Sequence, residues 1–173
     1  MHIRRAQQSL VLTTEPVESR ILLDILTALV EAYRVQPGEL DPATAAVWYS
    51  TRGCASAKMS ATETAEWMES LHDFKGANLR LLERWLEQLA QPDEKNHRFS
   101  FKLADAPTFL TVINDYRLMA AARHDIGEAE MTLDFLESIQ RLSPERQRAL
   151  AEISLLAWLM EATLQALSGA AEV

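Results

Sequence analysis

The placement of six prolines constrains this chain more than any other feature, because a ring with fixed φ and no N–H is accepted in the first turn of a helix and excluded from its interior. Each proline therefore marks a start or a stop. Pro16 opens a run to about Tyr33 in which Leu22, Ile25, Leu26, Leu29, Val30 and Tyr33 recur at helical spacing, with Arg20, Asp24, Thr27, Glu31 and Arg34 opposite. Pro37-Gly38 turns the chain, and Asp41 as N-cap with Pro42 behind it launches a shorter helix through Ala45, Ala46, Val47 and Trp48. Pro92 falls in a charged connector that ends at His97. Pro107 opens a helix with Phe109, Val112, Ile113, Tyr116, Met119 and Ala120 on one face, stopping near Gly127, and a further helix runs from Glu128 to about Leu142. Ser143-Pro144-Glu145 starts the last one.

The stretches between prolines complete the outline. Ser50 to Met59 is small and polar around Gly53 and Cys54, without a sustained period, and reads as a loop. Ser60 and Glu63 then form a capping box ahead of a long pattern of Trp67, Leu71, Phe74, Asn78, Leu82, Trp85 and Leu89, which predicts a helix to about Ala90. Its thirty or so residues at a rise of about 1.5 Å span about 45 Å, against a radius of gyration of about 16 Å for a domain of this size. The helix must project, or bend near Gly76. Two segments have strand character: Ser9 to Thr13, with Leu10, Val11 and Leu12, and the alternating Arg98 to Leu103. They can pair as a small ribbon. In the last helix Ile153, Leu155, Leu156, Ala157, Trp158, Leu159 and Met160 cover every side, so we expect it to be central and buried on most of its circumference.

With 173 residues, such a chain buries about 70% of its unfolded surface and needs neither disulfide nor metal to fold. No repeat or long linker divides it. We therefore expect a mainly α fold: one domain over residues 1–173, a bundle of five or six helices with a short two-stranded β element. A formal charge of -8 repels phosphate backbones and anionic lipid, which argues against direct nucleic-acid or membrane binding. Gln7, Gln8, Ser9, Thr13, Thr14 and Glu15 interrupt any apolar run near the N-terminus, so no signal-peptide core forms. The apolar neighbourhood Ile153 to Met160 falls short of the roughly 20 residues of a membrane span. The single Cys54 fits a reducing compartment. A soluble, cytoplasmic protein is the expectation.

Few constellations carry chemistry. Glu69-x-x-His72 has the spacing that di-iron bundles use, but such a site needs a second copy on another helix, and Glu94 to His97 lies in a connector. No metal is expected. Cys54 has Arg52 and Lys58 nearby, and nothing places His72, His97 or His124 beside it, so it reads as an inert thiol rather than a nucleophile. Five scattered glycines compose no phosphate-cradling loop. We assign no catalytic residue and no cofactor.

The most unusual segment is Asn114-Asp115-Tyr116-Arg117-Leu118, running on to Arg123 and His124 inside an otherwise apolar helix. Asn114 and Arg117 share a face, and Asp115 lies one turn from Met119, so part of this set must pack near the core. Our preferred reading is a structural network that pins neighbouring helices, with Asp115 paired to Arg117 or Arg123 so that no charge is isolated. The other is a ligand pocket lined by Asn114, Asp115, Arg117 and Arg123.

The stretch from Phe99 through Leu103, Phe109, Asn114-Asp115-x-Arg117-Leu118 and Arg123, with the terminal Trp158-Leu159 and Leu164, resembles the bacterial domain of unknown function numbered two thousand and seventeen. Ala121 stands where that family is expected to carry Gly, and His124 where an aliphatic residue is usual. The resemblance takes in the first helix and the last seventy or so residues, and leaves Pro37 to Asn96 without a counterpart. It implies a small, mostly helical cytoplasmic bacterial protein and supplies no catalytic residue. We expect a non-catalytic protein-interaction or regulatory module, with a protein partner or a homodimer covering the end of the long helix. The alternative is a small-molecule sensor or enzyme built around Asp115, Arg117 and Arg123.

Overall fold

A computed structural model describes residues 1–90, 98–132 and 142–169. In chain order the elements are β1 (His2–Ala6), β2 (Ser9–Thr13), α1 (Pro16–Arg34), α2 (Pro42–Trp48), α3 (Arg52–Ser56), α4 (Ala61–Ala90), β3 (Arg98–Lys102), α5 (Ala106–Arg123), α6 (Glu128–Thr132) and α7 (Pro144–Ser168). The fold is mainly α with one small antiparallel sheet. The proline-based starts hold: Asp41 Oδ1 accepts from the Thr44 amide at 2.9 Å to cap α2, and Ser143 Oγ accepts from the Arg146 amide at 3.4 Å to cap α7. At the head of α4, Glu63 Oε2 accepts from the Ser60 amide at 2.7 Å while Ser60 Oγ accepts from the Glu63 amide at 3.3 Å. Gly169, at φ 75, closes α7 in the left-handed conformation that suits glycine.

Strands β2 and β3 pair as the alternation suggests, with Leu10 opposite Phe101 and Leu12 opposite Phe99. The ribbon has a third strand: β1 pairs with the other edge of β2, placing Ile3 opposite Leu12. In His2–Ala6 only Ile3 is buried, so the segment has too few apolar positions to show an alternation. Similarly, Arg52–Ser56 forms the short α3 inside the stretch read as a loop. The connector after Ala90 and the helix expected beyond Thr132 lie outside the described residues.

The inner face of the sheet meets an aromatic group. Phe101 and Phe109 stack with ring centroids 4.2 Å apart, and the Trp85 ring meets Phe109 edge-on at 5.5 Å. This group joins α4, α5 and β3 into one core, to which α1 contributes Leu22, Ile25, Leu26 and Leu29. Helix α7 lies against α5 and β1. It is less buried than the expected burial on most of its circumference: Leu150, Ile153, Leu156 and Leu159 face inward, but Trp158 and Leu164 are exposed. Over its full length Pro144–Ser168 is also long and apolar enough to cross a membrane by composition, which the shorter window Ile153 to Met160 does not reveal. Here its inward face is core.

Candidate functional site

Helix α4 remains one helix through Gly76, and its inner seam is Lys75, Asn78, Leu82, Trp85 and Leu89, all buried. These positions alternate by three and four residues, as a packed helix face requires. Extended backward, the seam reaches Leu71, which is half-buried. The sequence pattern had placed Phe74 in this row; the structure places Lys75 there, 7% exposed, and leaves Phe74 outside at 56%. A charged residue had displaced an aromatic one from the core.

Asp115 on α5 explains the exchange. Its Oδ2 accepts from the Lys75 ammonium at 2.5 Å and from the Tyr33 hydroxyl at 2.5 Å, and its backbone carbonyl accepts from the Trp48 indole N–H at 2.9 Å. The Lys75 Nζ also lies 4.6 Å from the centre of the Trp48 ring and 5.5 Å from that of Tyr33, so ring faces and a carboxylate together replace its water. One residue of α5 thus holds α1, α2 and α4. Burial, then the charge of Asp115, pushes the Tyr33 hydroxyl far above its ordinary range, so Tyr33 remains a donor.

The other candidates in α5 go elsewhere. Arg123 donates through Nε to Asp41 Oδ2 and to Thr44 Oγ1, each at 2.9 Å, and ties α5 to the start of α2. Arg117 donates through Nη1 to the Met160 sulfur at 3.4 Å, with its Nε buried and without a partner among the described residues. Asn114 is half-buried. Neither expected arginine meets Asp115, for a geometric reason: Arg117 is two positions on and faces away, while Arg123 lies more than two turns along the axis. The pairing expected within α5 is therefore corrected to one between α5 and α4. Lys75, Tyr33 and Trp48 were missed; the signal for Lys75 was its place in the three-four seam between Leu71 and Asn78.

Before Lys75, α4 is only partly covered: Met68 and Leu71 pack against the core and the opposite side is open. None of the residues from Ala61 to Phe74 is buried. Trp67 is 45% exposed and stands seven residues from Phe74, so both lie along one side of the helix. The charges on this half of the helix are Glu63, Glu66, Glu69 and Asp73, with no Lys or Arg. His72 is engaged through Nδ1 with the Tyr49 hydroxyl at 3.3 Å, and among the described residues no group of three His, Cys, Asp or Glu side chains could hold a metal ion. Cys54 is buried. The Lys75–Asp115 pair stands where the fully buried part of the inner seam begins.

A second polar cluster joins α5 to α7. Glu152, buried, accepts from the Tyr116 hydroxyl at 2.7 Å and from Arg148 Nε at 2.8 Å. A cleft of about 430 Å³ with a mostly apolar wall of Ile21, Ala151 and Leu155 opens on one side of the Arg148–Glu152 pair. A smaller one of about 270 Å³ beside Tyr116, His124 and Glu145 opens on the other. Neither is lined by Asp115, Arg117 or Arg123.

The family model described as a domain of unknown function (DUF2017) matches residues 1–167. That span includes Pro37 to Asn96, which the sequence resemblance left out. No curated protein and no solved structure matches the chain.

Proposed function

The chain belongs to the DUF2017 family, and from that premise we propose that it is a non-catalytic protein-interaction module whose docking element is the first half of α4. One observation carries this: along the first half of α4, Trp67 and Phe74 are exposed on one side of the helix while Met68 and Leu71 pack against the core. Large aromatic side chains left in water are costly for a single chain and are the anchors that interfaces use. Supporting it, Asp115, Arg117 and Arg123 of α5 engage α4, α7 and the start of α2 respectively instead of converging on one cavity. We place the protein in a bacterial cytoplasm, a reducing compartment in which a lone buried thiol such as Cys54 is unremarkable.

The test is a photo-crosslinking residue at position 74 in living cells, with the same residue at exposed Val17 as control. A discrete protein adduct from position 74 and none from position 17 is the expected result. Absence of any adduct specific to position 74 would remove the proposal.

A second reading, a small-molecule sensor, has the Glu152 clefts in its favour, since a buried carboxylate flanked by a tyrosine, an arginine and an apolar wall is a combination that ligand sites use. Against it, Glu152 is already engaged by Tyr116 and Arg148. A metabolite that raises the melting temperature of wild type but not of Glu152→Gln would favour it.

A further inference from the structure

We infer that the free edge of β1 is a second, separate docking site, which takes an extended segment of another protein, alternating apolar and acidic residues, as an added strand. The hairpin sets this edge. Ala6 and Ser9 flank a two-residue turn and face each other, so His2, Arg4 and Ala6 turn their backbone groups toward β2, and those of Ile3 and Arg5 point away. The same alternation sends Ser100 outward from β3, where Gln88 Oε1 accepts its amide at 3.1 Å. That edge is blunted by α4. On β1 there is no such cap: among the described residues the outward backbone groups of Ile3 and Arg5 have no partner.

A groove accompanies the edge. A cleft of about 400 Å³ lies between β1 and α7, with His2 and Ile3 on one wall and Trp158, Glu161, Ala162 and Gln165 on the other. Counted from Trp158, the other α7 residues stand three, four and seven positions on, so the four form one stripe along the helix. Trp158 is 42% exposed in this stripe, and the small Ala162 one turn on leaves room beside it. A strand edge facing a helix across an apolar slot is the arrangement in which an added strand bonds through its main chain and is read through alternate side chains. The slot is preformed, since the Met1 ammonium donates to Glu18 at 2.9 Å and holds the start of β1.

Charge selects the occupant. The three strands contain Arg4, Arg5, Arg98 and Lys102 and no Asp or Glu, in a chain of net charge -8. Arg4 and Arg5 are exposed and have no ion-pair partner among the described residues. A second copy pairing β1 with β1 would bring these arginines together, and like charges in cross-strand positions are destabilising. An acidic strand meets them favourably. Its side chains alternate between the two faces of the sheet. On the face of Ile3 an apolar residue enters beside Trp158 and Ala162, where Glu161 disfavours a carboxylate, and on the opposite face a carboxylate stands beside Arg4. A nucleic acid supplies phosphates but no row of amides and carbonyls to complete the ladder.

The experiment reads amide exchange by NMR in full-length protein, with a peptide of about six alternating valine and glutamate residues as probe, long enough to cover the five of β1. In free protein the Arg4 amide, turned toward β2, should exchange more slowly than those of Ile3 and Arg5. With peptide, Ile3 and Arg5 should gain protection while Arg4 changes little. The same peptide N-methylated along its whole backbone should give no gain, because it has no amide to donate, and a valine–lysine peptide should bind about tenfold more weakly or worse. Arg4→Glu should reverse that preference, and Trp158→Ala should weaken both peptides; circular dichroism melts check that each variant is folded. No gain at Ile3 and Arg5 with millimolar peptide, a gain that survives N-methylation, or equal affinity for the two peptides in wild type overturns the inference. So does protection that rises with protein concentration alone, which would mean that β1 pairs with itself, or protection by oligothymidylate, which would mean a phosphate-binding face.

Discussion

The Lys75 ammonium donates to Asp115 Oδ2 at 2.5 Å across a sequence separation of 40 residues, with both side chains nearly closed to solvent. The pair stands where the fully buried seam of α4 begins, and Tyr33 and Trp48 complete its surroundings. Removing one partner of a buried pair leaves the other charge unsolvated, which costs about 3 to 5 kcal/mol. Lys75→Ala should therefore lower the melting temperature sharply. Lys75→Met combined with Asp115→Leu should recover much of the loss, since an apolar pair of similar volume leaves no charge behind. A melt of Lys75→Ala within a degree or two of wild type would contradict the junction.

Arg117→Ala should behave differently. Its guanidinium meets the Met160 sulfur and no carboxylate among the described residues, so the variant loses stem packing and orphans no charge, a change of about 1 kcal/mol or less. Arg123→Ala removes a partly exposed pair with Asp41, also about 1 kcal/mol or less. A fall comparable to that of Lys75→Ala in either variant would show that Asp115 depends on an arginine after all.

The two tryptophans of α4 should separate core from surface. Trp85 is buried among Phe99, Phe101 and Phe109, and Trp85→Ala should cost about 3 to 5 kcal/mol. Trp67→Ala should change stability by about 0.5 kcal/mol or less while weakening docking. Chemical denaturation reads the first effect and the yield of the position 74 crosslinked adduct reads the second; equal losses of stability in both variants would mean that Trp67 is packed within its own chain.

Stability should also fall at both pH extremes for identifiable reasons. Burial first, then the charge of Asp115, raises the hydroxyls of Tyr33 and Tyr49; for Tyr116 burial is followed by its hydrogen bond to Glu152. A raised folded value means stability that is fully present below the unfolded value of about 10 and lost as pH rises through the folded one. Thermal melts should decline above about pH 10, less steeply in Tyr33→Phe. For Asp41 partial burial raises the carboxyl, but the Thr44 hydroxyl and amide and Arg123 outweigh it, so the net shift is downward. Its contribution is present above about pH 4 and is lost as pH falls. A melting temperature that keeps rising above pH 10 would contradict the tyrosine assignments.

Much of this fold was legible because prolines and caps act locally. Pro16, Pro42 and Pro144 mark helix starts wherever the chain goes afterwards, and the alternation of Arg98 to Lys102 belongs to a half-buried strand. What was not legible depended on distance. His2–Ala6 becomes a strand only because β2 is beside it, and nothing within α5 indicates that Asp115 meets a lysine on α4. A shift of one position, Lys75 for Phe74, amounts to about 100° around a helix. It turns an aromatic residue from core into an exposed anchor, and hydrophobicity alone assigns it the wrong way.

Photo-crosslinking scanned along the exposed positions of α4 in living cells, with position 164 of α7 as control, tests most directly the claim that the outer face of α4 is a docking face. A covered side chain is held against its partner, whereas an open one meets only solvent. Positions 67, 70 and 74 should give one discrete protein adduct, while the exposed position 164 of α7 gives none. An adduct at position 164 alone, or none from α4, would contradict it.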